Sequence, residues 1–91
     1  MRSNFLLGEI VVTPAARAKL KREPLDLVAR HAVNDHGLAT HREHVRNLFG
    51  LKTAGEIISR YRADPTDPSA GFVLVVTSPE WGTTTVKLED E

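Results

Sequence analysis

Ninety-one residues, with twelve basic and twelve acidic side chains and no cysteine, amount to one domain's worth of chain without room for a second core. The balanced charge, with a pI near 6.9, argues against holding nucleic acid or an anionic membrane by bulk charge. The lack of cysteine excludes disulfides, thiolate metal sites and a cysteine nucleophile. A composition 41% hydrophobic and 26% charged is that of a globular chain rather than a disordered one. The longest apolar run, Phe72 to Val76, is too short for a membrane span or a signal core, so a cytoplasmic protein is expected.

Met1 to Asn4 is a short polar lead. Phe5 to Val12 reads as a strand, because two apolar pairs flank Gly8-Glu9 and Ile10-Val11-Val12 is β-branched. Thr13-Pro14 offers a hydroxyl N-cap followed by proline at the first helical position, predicting a short helix from Pro14 to about Arg22. Pro24 cannot continue that helix but can open another. Leu25, Val28, Ala29 and Ala32 then predict an amphipathic helix from Pro24 to about Asn34. Asn34 to Gly37 is its exit, with Gly37 suited to left-handed backbone. Thr40-x-x-Glu43 has the form of a capping box and opens a third helix reaching about Thr53, expected to bury Val45, Leu48, Phe49 and Leu51. Gly55 ends it. Glu56 to Arg62 alternates as a half-buried strand does. Ala63 to Ala70 contains two Asp-Pro steps and reads as an exposed loop. Phe72 to Thr77 is a nearly continuous apolar strand, expected inside its sheet. Ser78 to Gly82 turns the chain, Thr83 to Leu88 is the last strand, and Glu89 to Glu91 is a solvated acidic tail.

The order strand, three helices, three strands predicts a single α+β domain over residues 1–91. Its expected form is a small antiparallel sheet of about four strands with the helices packed on one face. An edge strand, either Phe5–Val12 or Thr83–Leu88, offers a route to a homodimer.

Candidate chemistry gathers around Arg30 to Gly37, and all four histidines lie between His31 and His44. His31 and Asp35 are four apart on one helix, and His41 and His44 are three apart on the next. Such spacing lets pairs converge on a zinc or iron ion. The plainer alternative is a set of surface or helix-end residues; no known ligand pattern is matched, and no cofactor is expected. His31, Asp35 and Asn47 are the candidates for acid–base work in a metal-dependent hydrolase or nuclease, yet no nucleophile stands in a recognisable setting. Asp35 serves equally well to satisfy backbone donors in its turn. Arg42 and Arg46 share a helix face and Arg60 and Arg62 a strand face. With Lys52 they offer a weak nucleic-acid patch, opposed by Glu43 and Glu56. Trp81, beside Glu80 in a turn, either closes the end of the sheet or is an exposed anchor for a partner. Trp81, Glu80, Arg60 and Arg62 are therefore the candidate binding residues.

From Leu7 to Leu88 the chain resembles a family of small proteins from bacterial chromosomes and mobile elements, often labelled plasmid-related protein. Gly8, Val12, Thr13-Pro14, Ala16 and Leu20 are similar to the family's opening. Arg30-His31, Asp35 and Gly37 are similar to its arginine-histidine…glycine-aspartate-tryptophan-glycine signature, and Asn47 falls ten residues after that glycine. Leu51, Ile57, Ser59 and Tyr61 resemble its leucine and serine-x-tyrosine strand, and Thr77 with Thr84-Thr85 resembles its threonine endings. Asn34 stands in place of a usual glycine, His36 of a tryptophan, Glu56 of an arginine, and Glu80-Trp81 of aspartate-arginine. Reversing the charge at 56 and losing an arginine at 81 would damage an anion site built there. The family has no established activity, so the resemblance speaks mainly to fold.

The residues together lead to the expectation of a non-enzymatic protein-binding or accessory module. A hydrolase using the His31–Asp35 region is the second reading and a weak nucleic-acid binder the third.

Overall fold

The computed structural model describes residues 5–91; the polar lead expected at residues 1–4 lies outside them. In chain order the elements are β1 (Glu9–Val12), α1 (Pro14–Lys19), α2 (Pro24–Ala32), α3 (His41–Thr53), β2 (Ile57–Arg62), β3 (Phe72–Thr77) and β4 (Thr83–Leu88). Short 3-10 turns occupy Pro68–Ala70 and Pro79–Trp81. The start signals act as expected: the Thr13 hydroxyl accepts from the Ala16 amide, and Thr40 and Glu43 form a reciprocal capping box. Several ends are shorter than expected. The first strand begins at Glu9 because Gly8 has φ +63 and lies so close to the turn before β4 that a Cβ would sit 2.1 Å from the Gly82 carbonyl oxygen. α1 stops when Leu20 turns extended and packs on the core. α2 stops just before Asn34, which is left-handed at φ +63.

The sheet order is β1-β4-β3-β2. β2, β3 and β4 form an antiparallel meander in which Ser59 lies opposite Val75 and Val75 opposite Val86. β1 runs parallel to β4, with Glu9 opposite Thr83 and Val12 opposite Val86. The α+β class is as expected, but the sheet is mixed rather than wholly antiparallel. Two reversals in the meander leave β4 pointing the same way as β2, the direction β1 also takes, and the helices with β2 and β3 supply the long connection that parallel neighbours require. β4 is consequently interior, so the Thr83–Leu88 segment is not an edge, and the sheet ends at β1 and β2.

Period-two alternation sends Ile57, Ser59, Tyr61, Val73, Val75, Thr77, Thr84 and Val86 inward, and all eight are buried. Ala16 of α1 and Leu27 and Val28 of α2 pack against Tyr61, Val73, Val75 and Val86, with Leu7, Val12, Leu20 and Leu88 at the margin. The end of this face nearest Ser59, Thr77 and Thr84 is polar.

α3 overturns an expectation. Val45, Leu48 and Phe49 are 52%, 65% and 69% exposed, while the side turned inward is Glu43, Asn47 and Gly50. The reason is the open edge of β2, whose unpaired backbone groups need partners. Asn47 supplies two: its Nδ2 donates to the Ile58 carbonyl at 2.8 Å, and its Oδ1 accepts from the Ile58 amide at 2.8 Å. The exit of α2 supplies two more, since the Arg60 amide donates to His36 O and the Leu38 amide to Arg60 O. Gly50 lets the helix approach, for a Cβ there would be 2.4 Å from the Glu56 carbonyl oxygen. Asn47→Ala is expected to cost about 2–4 kcal/mol, because it leaves a strand amide and carbonyl unpaired. Denaturation midpoints together with hydrogen exchange at the Ile58 amide check this; an unchanged midpoint would show that α3 does not seal the edge.

Candidate functional site

His31, on the last turn of α2, is wholly buried under the polar end of the sheet. Its Nδ1 lies 2.6 Å from Ser59 Oγ and its Nε2 2.9 Å from Thr77 Oγ1. Thr77 Oγ1 lies 2.7 Å from Thr84 Oγ1, which donates to the Leu7 carbonyl at 2.6 Å. At the other end, His36 Nδ1 lies 2.7 Å from Ser59 Oγ. Six groups from the start of the chain, α2, its exit and three strands thus form one hydrogen-bonded line.

Simple proton counting fixes its direction. A carbonyl only accepts, and a hydroxyl has one proton to give. The Thr84 hydroxyl donates to Leu7 O, so it accepts from Thr77; Thr77 then accepts from His31 Nε2–H. His31, neutral, carries its proton on Nε2 and accepts at Nδ1 from the Ser59 hydroxyl. Ser59 in turn accepts from His36 Nδ1–H. His36 is left with an unprotonated Nε2. Burial and then the neighbouring His36 push the His31 imidazole down to about 3, which agrees with a neutral ring. Burial and then His44 also hold His36 below the usual histidine range, partly opposed by Asp35.

Phe5 packs edge-on against His31 with centroids 5.1 Å apart and leans on Trp81 at 5.7 Å. Trp81 is half-buried, and its indole N–H donates to the Gly55 carbonyl at 2.9 Å. The Glu80 amide donates to Ala54 O, and both Glu80 and Trp81 have positive φ. Of the two readings of Trp81, this geometry is that of a closure at the end of the sheet. Arg60 is committed to Glu43, with Nη2–Oε2 2.8 Å and Nε–Oε1 3.1 Å, and to Glu89. Arg62 borders a cavity of about 270 Å³ with Arg22, Arg30 and Tyr61.

His31, Asp35 and Asn47 do not share a polar partner. Asp35 is an exposed carboxylate in a two-point ion pair with Arg30 at 2.8 and 3.2 Å, and that pair holds it below the usual carboxylate range. Asn47 is committed to Ile58, and both ring nitrogens of His31 to hydroxyls. Among the described residues no group of three or more His, Asp or Glu is arranged to hold a metal ion. His41 is exposed on the first turn of α3. His44 instead lies beside His36, with centroids 6.1 Å apart. The two border a cleft of about 230 Å³ between the exit of α2 and α3, together with Asn34, Asn47, Leu48 and Leu51.

Sequence reasoning missed Ser59, Thr77 and Thr84 as partners of His31. The available signal was that each occupies an inward position of a strand, where a hydroxyl must find a buried partner. It also missed the outer face of α3. There Val45 and Phe49 border a groove of about 600 Å³ with Gly55 and Pro79, and Arg42, Arg46 and Lys52 stand exposed around them. No helix among the described residues is long and apolar enough to cross a membrane. Comparison of the chain with protein-family models, curated proteins and solved structures finds no match.

Proposed function

We propose that the protein is a non-enzymatic binding module and that the outer face of α3 takes an acidic, amphipathic helix of a partner protein. The observation that carries this reading is the exposure of Val45, Leu48 and Phe49 on α3, with Val45 and Phe49 bordering the groove toward Pro79. Large apolar side chains clustered in this way on a small domain mark a contact surface. Its chemistry selects the partner. Arg42, Arg46 and Lys52 rim the patch, and Glu56 offsets only Arg46, at 3.2 Å. A second copy would bring like charges together, whereas a helix with an apolar stripe flanked by glutamates meets both features. The resemblance of Arg30-His31…Gly37 and Ser59-x-Tyr61 to small proteins of mobile elements fits an accessory role of this kind.

The test is a helical peptide with leucines at i, i+3, i+4 and i+7 flanked by glutamates, beside the same peptide carrying lysines. Saturable, salt-sensitive binding of the acidic form alone is expected. Phe49→Asp should weaken it by about thirtyfold or more, the range of a central anchor, and change folding stability by no more than about 0.5 kcal/mol, since Phe49 is exposed. Equal binding of both peptides, or binding untouched by Phe49→Asp, would refute the assignment. Capture by anionic vesicles in place of the acidic peptide would reassign the face to a membrane surface.

A further inference from the structure

The hydrogen-bonded line through His31 ends at an atom that no other described residue uses. His36 is 93% buried, being only 7% exposed, and its Nδ1–H is committed to Ser59. Its Nε2 makes no hydrogen bond among the described residues. Among the described residues every enclosed side-chain nitrogen or oxygen has a partner, so this nitrogen opens on the cleft that His36 shares with His44. A lone pair fixed in direction, in a ring that cannot turn without breaking its bond to Ser59, stands beside a second imidazole.

We infer that His36 Nε2 and His44 form a two-imidazole site for a first-row divalent ion of the copper–nickel–zinc class. Three observations meet there. Two imidazoles on one ion, each nitrogen about 2.0–2.1 Å from it, place their centroids about 5–6 Å apart; here they are 6.1 Å apart. His44 is an exposed residue of α3, free to make the small rotation that closes the pair. His36 also carries the outer partner that ligating histidines characteristically have, its far N–H held by an acceptor that fixes tautomer and ring plane. Of the other lining residues Leu48 and Leu51 offer no ligand and Asn47 is engaged by Ile58, so beyond the Asn34 side-chain amide the ion would keep its positions for water or for an incoming group. This is an open, exchangeable site. It differs from the sets read from spacing, since both ring nitrogens of His31 are engaged by hydroxyls, Asp35 is paired with Arg30, and His41 does not line the cleft.

The experiment titrates copper(II), nickel(II) and zinc(II) into chelator-treated protein, reading stoichiometry by calorimetry and ring nitrogens by NMR, in the native chain and in His44→Ala and His41→Ala. The metal-free spectrum should show His36 protonated on Nδ1 and His31 on Nε2. One ion per chain should bind saturably, copper most tightly, with the His36 Nε2 signal perturbed first. His44→Ala should weaken binding about tenfold or more, as loss of one of two ligands demands, while His41→Ala leaves it unchanged. An Nε2–H tautomer at His36, absence of saturable binding, or equal effects of the two alanine variants would each overturn the site. His44→Ala removes an exposed side chain, so its failure to fold is not an expected complication. None of these readouts depends on the α3 partner.

Discussion

His31→Leu is expected to destabilise the protein by about 3–5 kcal/mol, although leucine fills a similar space. The substitution leaves the Ser59 hydroxyl without its acceptor and Thr77 without its donor, both beneath α2, and each buried group so orphaned costs about 1–3 kcal/mol. For a chain of this length each kcal/mol corresponds to about 4–8 °C in Tm, so the variant should melt well over 10 °C below the parent. A second substitution distinguishes hydrogen bonding from packing. Ser59→Ala alone leaves His31 Nδ1 unsatisfied, but combined with His31→Leu it removes a hydroxyl whose proton has already lost its acceptor. The double variant should therefore be more stable than the sum of the single losses predicts. Additive losses in thermal or urea unfolding would show that His31 acts by volume alone.

The second large effect is a loss of stability in mild acid. His31 titrates near 3 in the folded chain against 6.5 for an ordinary histidine, through burial and then the proximity of His36. The unfolded chain therefore binds more protons between those two values, and stability falls as pH falls. The contribution is complete above pH 6.5 and is lost progressively toward pH 3. Between pH 7 and pH 5 it amounts to about 2 kcal/mol. His36, lowered in the same direction, adds to it. Asp35 and Glu43, held low by their arginine partners, lose their contributions only at lower pH, so this window isolates the imidazoles. Urea unfolding at the two pH values measures the difference, and His31→Leu should flatten it. A His31 ring that protonates above pH 6 by NMR would remove this account.

Most of the elements could be read along the chain because their causes are local. Thr13-Pro14 and Thr40-x-x-Glu43 carry their own cap partners within three residues, Asp-Pro steps mark the loop after β2, and strand alternation names the inward residues of β2. The left-handed turn at Gly37 was also foreseeable. What is closely packed around it was not: a Cβ there would meet the Arg60 carbonyl and the Tyr61 ring at 2.4 and 2.5 Å. Of the site, the window from His31 to His44 was legible, but which atoms in it are free was not.

The amino-acid sequence by itself determined where the helices and β2, β3 and β4 begin, to within about a residue, the alternation of β2, and that the chain is α+β. Only the tertiary structure decided that β1 lies parallel to β4 and that α3 turns its apolar side outward. It also decided that His31 is enclosed while His36 retains an open nitrogen. The physical reason is the same in each case. Periodicity specifies a stripe but not what covers it, and the unpaired edge of β2, reached by Asn47 and the His36–Leu38 backbone, claimed the polar side of α3. Hydroxyls distant in sequence, Ser59, Thr77 and Thr84, claimed the histidine. Such partners are chosen by hydrogen-bond satisfaction across the assembled sheet.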